Sequence, residues 1–202
     1  MLTVKDIVLI LNGGSFSIPF CEKRIRLYKR LNMKKILLLS DTHGCFDSKI
    51  SNYVNQADEV WHAGDIGKLE VLDSLTALKP SRAVYGNIDG DKVRLQAPEV
   101  LSFNCEGVNV LIMHIAGYPG RYTPQAKRLI SQYKPKLFIC GHSHILKVIQ
   151  DKKMGHLHMN PGAAGISGFH KVRTMLRFSI DGKKIDNLEV IEFPVRHPKT
   201  NS

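Results

Sequence analysis

One event, repeated five times, constrains this chain more than any other feature. A short apolar run stops, and within a few residues a side chain able to bind a metal follows. Ile36–Leu39 stops at Ser40-Asp41-Thr42-His43-Gly44, and Val60–Ala63 stops at Gly64-Asp65. Ala83–Tyr85 stops at Gly86-Asn87, Val108–Met113 at His114, and Leu137–Cys140 at Gly141-His142-Ser143-His144. Short apolar runs broken by glycine read as buried strands. Segments 48–55 and 69–78 lie between them, the second stopped by Pro80, and are helix-compatible. Strands and helices in alternation predict a parallel sheet covered on both faces. Loops beyond the carboxyl ends of such strands are where open α/β sheets keep their ligand crevices.

The second half has a different pattern. Glu106-Gly107 and Asp181-Gly182 each separate two strand-like runs and signal hairpins; a helix is expected over 124–132 and a further strand over 156–159. A parallel first half and an antiparallel second half predict an α/β fold of two mixed β-sheets, packed face to face with helices outside. Gly165–Gly168 reads as a mobile loop. The 202 residues suit one domain with a sizeable core, and no stretch approaches a membrane span. Residues 1–32 do not share the pattern. They read as an N-terminal extension, or as sequence upstream of the start used in the cell, with a basic helix over Cys21–Asn32 as the functional rival. The catalytic domain is expected over 33–198.

The net charge of +11 is uneven. Residues 1–32 contribute +4, and the rest is spread without a dense basic run or interleaved aromatics. That favours a small phosphorylated substrate over nucleic acid, with no membrane partner; self-association is left open. The four cysteines form no CxxC pair. Free thiols and a reducing, cytoplasmic location follow, with Cys105 and Cys140 as small buried hydrophobes.

Asp41, His43, Asp65, Asn87, His114, His142 and His144 amount to two carboxylates, one amide and four imidazoles. Taken singly, an Asp after a strand is more often a helix cap than a ligand. Taken together, oxygen and nitrogen donors without thiolate suit manganese, iron, nickel or zinc, and seven exceed the need of one ion. Two divalent ions about 3.5–4 Å apart would clamp a phosphoryl group while a bridging hydroxide attacks in line. Manganese is the leading expectation, and Asp65 is the natural bridge. His62 could support the site from behind or be a core histidine. His156 and His158 are expected at the surface, as are His170 and His197. Arg94 and Arg121 are candidates for phosphate contact, and Asn160-Pro161-Gly162 for a structural loop beside the site.

The ordered set Asp41-x-His43, Gly64-Asp65, Gly86-Asn87, His114 and Gly141-His142-x-His144 resembles the calcineurin-like metallophosphoesterase superfamily. The short chain and Asn160-Pro161-Gly162 resemble its small YfcE-like phosphodiesterase branch, which includes Vps29. The resemblance implies a four-layer αββα sandwich. It also implies a first ion held by Asp41, His43, Asp65 and His144, and a second held by Asp65, Asn87, His114 and His142. Many members carry a histidine after the asparagine as leaving-group acid; here the residue is Ile88. Many of this branch read His-Gly-His at the fourth motif, where this chain has His114-Ile115-Ala116. Asp89 is retained and is expected to anchor the asparagine loop. These features predict a phosphoesterase favouring diesters, with a non-catalytic, Vps29-like interaction scaffold as the alternative.

Overall fold

A computed structural model describes residues 33–194. The expected extension over 1–32, the basic helix within it and His197 lie outside the described residues. In chain order the elements are β1 (Lys34–Leu39), α1 (Ser48–Gln56), β2 (Glu59–His62), α2 (Leu69–Leu78), β3 (Ser81–Ala83), α3 (Asp91–Arg94), β4 (Val100–Cys105) and β5 (Val108–Met113). There follow α4 (Pro124–Tyr133), β6 (Leu137–Ile139), β7 (Leu146–Asp151), β8 (His156–Pro161), β9 (Val172–Asp181) and β10 (Lys184–Pro194).

The strands form two five-stranded mixed sheets, ordered β10-β9-β1-β2-β3 and β4-β5-β6-β8-β7. Alternation along the strands explains why they read as continuous apolar runs. Successive side chains point to opposite faces, and here both faces are covered. In β1, Leu37 and Leu39 join a core with Ile50 and Val54 of α1 and Leu72 and Leu75 of α2. Ile36 and Leu38 instead meet Trp61, Val110, Ile112, Leu137 and Phe178 in a core between the sheets. On the far side, Leu111 and Phe138 pack against Ala126 and Ile130 of α4. Three cores separate four layers, giving an αββα sandwich.

The parallel strands are not confined to the first half. β1, β2 and β3 run parallel in one sheet, and β5, β6 and β8 run parallel in the other. β4, β7, β9 and β10 are added antiparallel at the edges. The final hairpin returns to the first sheet, where β9 pairs with β1. β7 gave no expectation because, as a half-exposed edge strand, it lacks a continuous apolar run. β3 ends at Ala83 rather than Tyr85. Val84 N–H still donates to the His62 carbonyl, but Tyr85 N–H turns to Pro98, so the chain leaves the sheet early, toward Asn87. Asp47 caps α1 by accepting from Ile50 N–H, and Thr123 caps α4 ahead of Pro124.

Candidate metal centre

Parallel strands deliver their carboxyl ends to one edge of a sheet. β1, β2 and β3 thereby bring Asp41, His43, Asp65 and Asn87 to one edge, and β5 and β6 bring His114, His142 and His144 to meet them. Six of the seven candidates fall into two groups whose donor atoms lie within 4.8 Å of one another: Asp41, His43 and His144, and Asp65, His114 and His142. Each group draws on both sheets.

Within the first group, His43 Nε2 lies 3.2 Å from His144 Nε2, which lies 3.2 Å from Asp41 Oδ1. Within the second, His114 Nε2 lies 3.2 Å from Asp65 Oδ1. The two groups touch. His43 Nε2 is 3.9 Å from Asp65 Oδ2, and His114 Nε2 is 4.0 Å from Asp41 Oδ1. Asn87 is held between Gly86, whose backbone abuts Asp65, and Ile88, whose N–H donates to Asp65 Oδ1 at 3.2 Å.

The backbone is strained where these side chains sit. Eight non-glycine residues among those described have positive φ, and five of them are Asp41, His43, Asp65, His142 and His144. Left-handed backbone at non-glycine residues is costly and persists where surrounding structure enforces it, as at ligand clamps. Gly141 shows how tight the approach is. A Cβ there would lie 2.1 Å from Ser40 Oγ and 2.9 Å from Asp41 Oδ2. A Cβ at Gly86 would lie 2.1 Å from Asp65 Oδ1.

Supporting hydrogen bonds set the orientation of each group. His114 Nδ1 donates to the Ala63 carbonyl at 2.7 Å, leaving the Nε2 lone pair for the centre. Asp41 Oδ2 accepts from His142 N–H at 3.1 Å. Asp89 accepts three backbone N–H bonds, from Ile66, Gly67 and Gly86, joining the Asp65 loop to the Asn87 loop. His62 is fully enclosed. Its Nδ1 accepts from Gly64 N–H, so Nε2 donates to Thr42 Oγ1, and Thr42 donates on to the Ile66 carbonyl. Burial holds the pKa of His62 down at about 4, so it supports the site as a neutral ring.

Charge is arranged to suit cations. Burial would raise the pKa of Asp65, but the adjacent His114, the Ile88 N–H and the His43 ring outweigh burial and lower it. Burial disfavours a charged His114, yet Asp65 and Asp41 raise its pKa overall, and the adjacent Asp41 carboxylate raises that of His144. For His43 burial wins and the pKa falls. Four buried side-chain atoms among the described residues have no hydrogen-bond partner, and two of them, Asp41 Oδ1 and His114 Nε2, belong to the candidate ligands. Both point inward among oxygen and nitrogen donors, where a divalent cation would satisfy them. The donor set therefore fits metal.

Other expectations need correction. His156 and His158 are buried, not exposed. His158 pairs in register with Phe138, on the helix-facing side of the second sheet, and Tyr122 Oη bonds both rings. His170 is half-buried rather than superficial, its ring edge-on to His144 with centroids 5.2 Å apart, and it bonds the Gly165 carbonyl at 3.0 Å. The segment read as a mobile loop is anchored at its start, because Gly165 N–H donates to the Asp41 carbonyl. Arg94 is committed to the Asp89 carbonyl and the face of Tyr85, and Arg121 lies in an exposed turn. Asn160 lies at the site, bonding the Gly141 carbonyl and Ser143 Oγ.

Arg173 gave no expectation. Buried, it joins the Ala164 carbonyl to Asp47 and Cys45, clamping the segment that crosses Asp41. A lone arginine on the buried face of an alternating strand was the available signal.

A family model for the calcineurin-like phosphoesterase superfamily domain matches residues 33–183. The chain belongs to this superfamily. It is 26% identical over 156 residues to a probable metallophosphoesterase of Methanothermobacter thermautotrophicus, covering 74% of this chain and 87% of that one. Vps29 of Entamoeba histolytica complexed with zinc superposes with a TM-score of 0.60 at 17% identity, over 80% of this chain and 99% of the other. A conserved protein of Streptococcus pneumoniae described as a predicted phosphoesterase gives 0.58 at 21% identity, over 80% and 98%. The superfamily membership agrees with the motifs, and the likeness to Vps29 and to the Streptococcus pneumoniae protein agrees with the αββα fold. No helix among the described residues is long and apolar enough to cross a membrane.

Proposed function

We propose that this chain is a two-metal phosphoesterase that prefers phosphodiesters. The observation that carries the reading is the convergence of two contiguous donor groups, each completed from both sheets, around two orphaned buried ligand atoms. Asp41, His43 and His144 would hold one ion, and Asp65, His114 and His142, with Asn87, the other, Asp65 reaching both. Two divalent ions there would supply Lewis acidity to a phosphoryl oxygen and lower the pKa of water, with manganese the first choice and zinc, iron or nickel as alternatives.

The chain's own residues do the positioning. The Ala63 carbonyl fixes the His114 tautomer, Asp89 holds the Asp65 and Asn87 loops at a set separation, and the strained backbone fixes the directions of five ligands. Ile88 follows Asn87 and cannot give a proton to a leaving alcohol. That favours esters whose alcohol leaves readily, and the diester preference rests on it together with the resemblance to the YfcE-like phosphodiesterases.

A second reading, a metal-binding scaffold without turnover, is favoured by the same Ile88 and by the likeness to Vps29. Turnover of a chromogenic aryl phosphodiester and monoester with added manganese separates the two, with Asn87→Ala as control. Diester hydrolysis lost in the variant supports the enzyme. Two bound ions with neither ester hydrolysed would establish the scaffold.

A further inference from the structure

The mouth of the metal centre is unusually apolar. In three separate loops the residue directly after a candidate ligand is an exposed isoleucine: Ile88 after Asn87, Ile115 after His114 and Ile145 after His144. Ile145 is 61% exposed. Ile166 and Phe169 are also exposed and belong to the segment crossing the site, where Gly168 passes over the His144 ring and Phe169 is fully open to solvent. Isolated exposed apolar residues are ordinary; several gathered at the rim of one crevice mark a binding surface. None of the three isoleucines can donate a proton, so an alcohol lying against them receives none from the rim and departs more readily the more acidic it is. An alcohol that is both flat and acidic satisfies both conditions.

We propose that this rim is a specificity surface for phosphate esters of aryl-type alcohols, with Ile145 and Phe169 covering the ring. The inference rests on the phosphoesterase reading for its site and goes beyond it by naming the alcohol. In the reaction water oxygen bonds to phosphorus and the P–O bond to the alcohol breaks. The aryl oxygen leaves with the electron pair, and the proton of water passes to solvent. The occupant is a small ester whose phosphoryl end would sit among the ligands that the three isoleucines directly follow.

The test compares phenylphosphonate with methylphosphonate, binding to full-length manganese-loaded protein by calorimetry, in wild type, Phe169→Ser and Ile145→Ser. Both residues are exposed, so either substitution leaves the fold in place. Phenylphosphonate is expected to bind about tenfold more tightly in wild type, with the ratio falling toward unity in the variants. Equal affinities in wild type, or an unchanged ratio in both variants, would overturn the proposal. Selective phenylphosphonate binding without hydrolysis of any aryl ester would remove the catalytic reading and leave the rim assignment standing. Sedimentation of the same proteins covers the rival occupant. A dimer that dissociates on Phe169→Ser with unchanged phosphonate selectivity would assign the surface to a second copy and overturn the proposal.

Discussion

Asp89 accepts the backbone N–H of Gly67 at 2.6 Å, across 22 residues of chain. The same carboxylate takes Ile66 and Gly86, so one side chain sets the spacing between the loops that carry Asp65 and Asn87. Asp89→Asn keeps the volume but turns an amide NH2 toward a cluster of N–H donors. The expected result is a loss of about 10–100-fold in divalent-ion affinity, with the far-ultraviolet circular dichroism unchanged. Wild-type affinity measured by calorimetry would remove Asp89 from any role at the centre.

Metal loading should stabilise the fold. Manganese at a hundredfold excess over its dissociation constant is expected to add about 2.7 kcal/mol per site to the unfolding free energy. The protein should take up two equivalents and His144→Ala one. Thermal melts with manganese and with chelator read the first expectation, and metal analysis after gel filtration reads the second. Identical melting curves in both conditions would argue against ligation by these groups.

Arg173 makes a buried bond to the Ala164 carbonyl and an ion pair with Asp47, and its guanidinium lies over the Phe193 ring. Arg173→Ala leaves the carbonyl unpaired and the packing void. The expected cost is about 2–4 kcal/mol in urea unfolding. The segment crossing Asp41 should also gain proteolytic sensitivity. A cost below the scatter of the measurement would show the clamp to be dispensable.

His158 is buried against Tyr122, and burial lowers its pKa to about 4 from an ordinary 6.5. In the unfolded chain the ring takes a proton below pH 6.5, while the folded protein resists until about pH 4. Folding stability contributed by the neutral ring is therefore present above 6.5 and lost as the pH falls between these limits, by about 3 kcal/mol. His158→Asn should flatten this part of the stability profile whatever it does at neutral pH. An equally steep profile in the variant would refute the assignment.

The sequence exposed the ligands because each interrupts an apolar run, and a polar atom at the end of a buried strand is conspicuous. It exposed the four layers less well, since the partner of β9 is β1, some 140 residues away, and no local signal records that pairing. His156 and His158 misled for a related reason. They occupy alternate positions on β8, as surface residues of an edge strand would, but β8 pairs with strands on both sides and Tyr122, just ahead of α4, packs on both rings. His170 was illegible because the contact that matters is with His144, 26 positions earlier, across a loop whose glycines suggested freedom. Asp89 was legible only through the resemblance; two of its three N–H partners, Ile66 and Gly67, come from the Asp65 loop, and the third, Gly86, from its own turn.

The two donor groups have one further consequence. Asp41, His43 and Asp65 belong to one sheet and His114, His142 and His144 to the other, so the centre works as a gauge of how the sheets are seated. A change buried far from any ligand, such as truncation of Trp61 between Phe103 and Phe178, leaves every donor present yet lets one half settle against the other. Ion affinity would then report the alignment of the sandwich, including the packing of side chains that never touch the centre.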